Sequence, residues 1–167
     1  MLRSYSMSMA GAACAALAVL AGCARNNPPP APEVPPKPPG VVCVPAQPGD
    51  PMVGTWYSTS RPKGVAGNYR SLKILSADGH MSYASQLRFG RQVRPALDEK
   101  GCWQVADGML TMQTTSSHGE DVDTTDPIYA NRYRVERLNR GRLILRSLSD
   151  GRRLVERRMP PGYHLPD

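Results

Sequence analysis

The sequence predicts an all-β domain, an eight-stranded antiparallel up-and-down meander that closes into a small barrel. Three observations carry this. From residue 51 onward apolar residues recur with a period of two rather than 3.6. Asp-Gly pairs at 78–79, 107–108 and 150–151 punctuate the alternation at hairpin spacing. No segment after residue 22 shows an amphipathic helical pattern, and a single Phe with 17 Pro and 15 Gly argues against a long helical bundle.

The strands follow in order. Met52–Ser58 is the first. Tyr69–Ser76 carries Leu72 and Ile74 on one face, read as inward, and Ser71, Lys73 and Leu75 on the other. After a turn at Ser76-Ala77-Asp78-Gly79, Met81, Tyr83, Ser85, Leu87 and Phe89 alternate on the return strand. Residues 90–100 contain Pro95 and are expected to hold at most a short helical turn. Cys102–Ala106 is the fourth strand, Asp107-Gly108 a turn, and Leu110 and Met112 are inward candidates on the fifth. Tyr129–Leu138 pairs with Arg142–Leu148 across Asn139-Arg140-Gly141, and Asp150-Gly151 leads into Arg152–Met159. Eight consecutive strands avoid bare edges most simply by closing, the alternatives being an open sheet or a flattened sandwich.

Ahead of this domain the chain is built differently. Of 167 residues, the first 22 read as a signal peptide: Arg3 is the positive region and Met9 to Leu20 an Ala-rich apolar stretch. Residues 23–50 read as a linker, 51–160 as the barrel and 161–167 as a tail. In the linker eight of the twelve residues from Pro28 to Pro39 are proline. Such a run favours polyproline II, a semi-rigid spacer of roughly 40 Å. A docking site for a proline-binding partner is the sharper alternative.

Leu20-Ala21-Gly22-Cys23 resembles the bacterial lipobox. The resemblance implies that the Cys23 thiol receives diacylglycerol, that cleavage precedes it and that the new amine is acylated, two chains or more giving a stable anchor. An uncleaved anchor or an ordinary signal with a chance Cys is the alternative. Ala24 in place of Asp implies, by resemblance to enterobacterial lipoproteins, sorting to the outer membrane with the domain facing the periplasm; inner-membrane retention is the other outcome. Cys14 is lost with the signal, which leaves Cys43 and Cys102 as a pair in an oxidising compartment, expected to form a disulfide rather than two free thiols or an intermolecular bridge.

Gly54-Thr55-Trp56 on the first strand, ahead of a meander, resembles the lipocalin and calycin pattern. Gly101-Cys102-Trp103 repeats the form. In that family the Gly permits a bend, the Trp plugs the closed end, and an Arg from the last strand packs over it. Arg157 or Arg158 is the matching position. The family's Thr-Asp-Tyr element has a displaced counterpart, Thr125-Asp126 with Tyr129 beyond. The resemblance implies a lipocalin-like barrel closed by Gly54, Trp56 and Trp103.

The formal charge of +7 is concentrated. Residues 132–158 hold ten Arg and no Lys against Glu136, Asp150 and Glu156, and Arg132, Arg134, Arg142 and Arg146 represent the basic surface this predicts. Arginine suits phosphate and carboxylate partners. The plain alternative is that these side chains only keep exposed strands soluble. Nucleic acid is not expected in the compartment the signal implies. His118, Glu120, Asp121, Asp123 and Asp126 cluster in one loop, but without the Gly and terminal Glu of an EF-hand they read as a solvated acidic loop, and no metal or other cofactor is expected.

No Gly-x-Ser-x-Gly, Ser-x-x-Lys, phosphate-loop or His-Glu-x-x-His motif occurs, so no catalytic residue and no enzyme activity are expected. The function expected is binding of a small apolar or amphipathic ligand by a membrane-anchored barrel. Its lining candidates are Leu72, Ile74, Tyr83, Leu110, Met112 and Tyr133. Trp56, Trp103, Leu143 and Leu145 are further inward positions; a barrel filled by these side chains is the alternative to a hollow one. The competing class is a non-catalytic accessory or inhibitor protein of an envelope complex, acting through the Arg-rich outer surface.

Overall fold

Side-chain alternation builds a meander whose first and last strands pair with each other. The computed structural model describes residues 40–61, 64 and 66–166. The signal peptide, Cys23 and the proline run to residue 39 lie outside the described residues. The strands are β1 (Gly54–Ser60), β2 (Asn68–Leu75), β3 (His80–Phe89), β4 (Gln92–Ala106), β5 (Met109–Ser117), the two-residue β6 (Glu120–Asp121), β7 (Ala130–Leu138), β8 (Arg142–Ser147) and β9 (Arg153–Met159). All pairings are antiparallel. Each long strand pairs with its successor, β5 passes to β7, and β9 returns to β1, so eight strands close into a barrel and β6 flanks β5. This is the small closed barrel the alternation predicts, consistent with the lipocalin-like form that the Gly54-Thr55-Trp56 resemblance implies.

Turn chemistry fixes the register. The β4–β5 hairpin has a two-residue loop, Asp107-Gly108, with positive φ at both residues (51° and 71°), the geometry that follows the twist of the flanking strands. At the β7–β8 turn the Asn139 side-chain oxygen accepts from the backbone N–H groups of Gly141 and Arg142 at 3.1 and 2.8 Å.

Residues 92–98 correct the expectation of a short helical turn: they are strand, the first half of β4. Pro95 is tolerated because this half pairs only with β3, β5 joining from Glu99 onward, so one flank needs no ladder donor. A bulge between Ala84 and Gln86 frees the Ser85 hydroxyl, which accepts from Leu97 N–H at 3.0 Å.

One end of the barrel is sealed. Trp56, Leu75, Met81, Trp103, Leu110, Leu143 and Leu145 fill it as a buried cluster, with Met52 beneath. Both indoles donate to backbone carbonyls, Trp56 to Met52 and Trp103 to Ser76, at 2.8 and 2.9 Å. The Arg158 guanidinium lies 4.3 Å from the Trp56 ring centre and donates to the carbonyls of Val53 (2.8 Å) and Pro51. Of the two arginines that matched the family position, Arg158 packs over the indole, while Arg157 stands over the outer ring of Tyr57. Gly54 makes room for this: its φ is 145°, and a β-carbon there would sit 2.3 Å from Arg158 Nη1.

Two segments outside the strands lie against the barrel. Cys43 and Cys102 form the expected disulfide, Cα atoms 5.0 Å apart, on the outside of β4. The residues that follow cross the sealed end, where Ala46 N–H donates to Ala77 at 2.9 Å and packs against the core. The tail lies on the outer wall: Tyr163 meets Tyr57 edge to face at 5.8 Å, and Gln86 donates to the Pro166 carbonyl at 2.8 Å.

Two outcomes check this account of closure. Gly54→Ala destabilises by about 2 kcal/mol or more in urea unfolding, through both the backbone and the clash with Arg158; a variant as stable as the parent would remove the closure argument. Replacing Cys43 and Cys102 together by Ser costs about 4 kcal/mol in the chain-entropy account of a loop of this size, measured the same way under non-reducing conditions.

Candidate functional site

The half of the barrel beyond Trp56 is hollow. A cavity of ≈ 480 Å³ opens there, lined by residues from all eight barrel strands, so it is the barrel lumen. Its wall alternates in character. Leu97, Met112 and Leu154 supply apolar surface; Ser58, Ser71, Tyr69, Tyr83, Tyr133 and Ser147 supply hydroxyls; Glu99, Asn131 and Arg152 add polar groups. The size falls in the usual range for small-molecule sites, about 300–1,000 Å³.

Hydroxyl pairs organise the wall. The Ser58 and Ser71 hydroxyls are 2.8 Å apart and those of Tyr69 and Tyr83 3.2 Å. Burial pushes the Tyr83 phenol far above its ordinary range, with the neighbouring Tyr69 adding to it. Burial, then the Glu156 carboxylate, pushes Tyr133 up to about 12. Both phenols therefore stay protonated and are able to donate at neutral pH. Glu99 is raised above the usual carboxylate range by burial, opposed by the Thr114 hydroxyl, which donates to it at 3.5 Å.

Beside the phenols lies a buried ion pair. Lys73 Nζ is 2.9 Å from Glu156 Oε1, both side chains 3% exposed, and 5.2 Å from the Tyr133 ring centre. The other carboxylate oxygen, Oε2, has no hydrogen-bond partner among the described residues. Removing two charges from water is costly, and only close pairing offsets it.

This pair reverses the expected facing of β2. Leu72 and Ile74 point outward, not into the lumen: Ile74 is 36% exposed, and Leu72 lies on the wall that the tail crosses. The inward set is Tyr69, Ser71, Lys73 and Leu75. Apolar content favoured the Leu72/Ile74 face because a lone strand does not show that Glu156, 83 residues away, neutralises Lys73. The one signal in the chain was Leu75, in phase with Lys73.

The remaining candidates divide clearly. Tyr83, Met112 and Tyr133 line the cavity, whereas Leu110 is fully buried in the sealed end with Trp56 and Trp103. Arg132, Arg134, Arg142 and Arg146 are exposed on the outer wall of β7 and β8. In the acidic loop the carboxylates serve the chain itself. Asp123 accepts from the Thr125 N–H and hydroxyl, and Asp126 accepts from Ile128 N–H to cap the short 3₁₀ turn Pro127–Tyr129. Among the described residues no three His, Cys, Asp or Glu side chains are grouped to hold a metal ion. No family model and no curated protein matches the chain.

A double-mutant cycle tests the buried pair. Lys73→Met, which leaves Glu156 uncompensated, destabilises by about 3–5 kcal/mol, and adding Glu156→Leu restores most of that loss in denaturant unfolding. A double variant no more stable than the single one would show that the two charges do not depend on each other.

Proposed function

We propose that this protein is a non-catalytic, lipid-anchored barrel of the bacterial envelope that binds a small amphipathic molecule in its lumen. The observation that carries the reading is the cavity of ≈ 480 Å³ with hydroxyls and apolar side chains on one continuous wall. An alkane would leave the Tyr69, Tyr83 and Tyr133 hydroxyls without a new partner, whereas a ligand with one polar end and a short apolar body matches both kinds of surface.

The envelope address rests on the lipobox-like Leu20-Ala21-Gly22-Cys23 and on the Cys43–Cys102 bond, which suits an oxidising compartment. An anchor at Cys23 with Ala24 behind it favours the outer membrane, the barrel facing the periplasm. Kinship with the lipocalin-like proteins is supported by the Gly54–Trp56–Arg158 closure.

Native mass spectrometry and titration of the full-length protein with 1-octanol and with octane test the reading. Octanol binds more tightly than octane, and Tyr83→Phe and Tyr133→Phe each weaken octanol by about fivefold while leaving octane unchanged. Equal affinity for both probes, or indifference of octanol to both variants, would overturn the amphipathic assignment.

A further inference from the structure

A second site lies outside the barrel, independent of the lumen. The outer wall of β7, β8 and β9 sets like charges opposite one another: Arg134 pairs in register with Arg146 and Arg146 with Arg153, and further along Arg142 pairs with Arg157. Directly opposed like charges weaken an antiparallel pair, so each row calls for an anion.

The two rows find different answers. In the first, Glu136 bridges Arg146 and Arg153 at 2.6 and 2.9 Å, and the two guanidinium groups hold its carboxyl below the usual range. In the second, none of the ion pairs among the described residues reaches Arg142 or Arg157, or the adjoining Arg137. A bulge between Val135 and Arg137 separates them. Val135 packs inward opposite Leu145; the extra residue then lets Glu136 serve the first row while Arg137 stands opposite Ile144, in the row adjoining Arg142 and Arg157. Bulges characteristically re-aim side chains in this way.

Arg137, Arg142 and Arg157 border a surface cavity of ≈ 400 Å³ together with Asn139, Gly141 and Val155. Glu156 also borders it, but its side chain is 3% exposed and bound to Lys73 at 2.9 Å. The Asn139 side chain holds the turn through the N–H groups of Gly141 and Arg142, which fixes the backbone at one edge of the cavity.

We propose that this cavity is an anion site for a phosphate monoester. A monoester brings nearly two negative charges and three acceptor oxygens, a match for three guanidinium groups, whereas a carboxylate brings one charge and two oxygens and in the first row serves two arginines. The volume leaves room for the group that carries the phosphate.

Titration of the full-length protein with glucose 6-phosphate, and co-sedimentation with neutral vesicles containing phosphatidate, test the site and separate a soluble phosphate from a lipid headgroup. Arg142→Gln and Arg157→Gln are compared with Arg132→Gln, which removes the same charge from the same wall away from the cavity, with thermal melts confirming that all three fold. Saturable binding in either arm, weakened roughly tenfold by Arg142→Gln and Arg157→Gln and less than about twofold by Arg132→Gln, is expected. The arm that shows it identifies the source. No saturable binding in either arm up to about 10 mM ligand, or equal weakening by all three variants, would overturn the site, the second outcome leaving only a diffuse basic surface.

Discussion

The architecture depends on one contact: the Arg158 guanidinium clamped between the Trp56 indole and the carbonyls of Pro51 and Val53. A meander of eight strands closes to pair its two edges, and a specific contact marks where the last strand meets the first. Here the last strand carries a guanidinium, opposite Trp56 in the ladder, that bonds to the chain entering the first strand. The cation gains the ring face and two backbone acceptors at once. Gly54 makes the approach sterically possible at the end of the β9–β1 pairing.

Sealing one end lets the other stay open. Large apolar side chains gather around Trp56, while the lumen above them is finished with Ser, Tyr, Lys and Glu side chains between Leu97, Met112 and Leu154. The polar wall is organised by its own hydroxyl pairs and by the Lys73–Glu156 contact, and what remains is space bounded by donors and acceptors as well as carbon.

The strand count, the closure and the disulfide were legible because each rests on local or pairwise signals: Asp-Gly turns, a Gly-x-Trp, an even cysteine pair. The start of β4 was hidden because Pro95 argues against strand unless it is known that the segment has one unpaired flank. The facing of β2 was hidden for a deeper reason. Leu72 and Ile74 outweigh Lys73 on any hydrophobic scale, and only the long-range partner Glu156, together with a tail that covers part of the outer wall, turns the strand the other way round. The clustering of arginine was plain in the chain, but its division by a bulge into a neutralised row and an unneutralised one exists only in register.

The bond between Cys43 and Cys102 also has a mechanical meaning. Cys102 sits within β4, between β3 and β5, and the chain reaches the sealed end only after passing Cys43. Tension arriving along the preceding polypeptide therefore enters the barrel wall through a covalent link and spreads as shear over two strand ladders. The stretch from residue 44 to 53, which holds Met52 and the carbonyls gripped by Arg158, lies beyond that shortcut. A pull from that side would strain the wall before it uncorked the closed end.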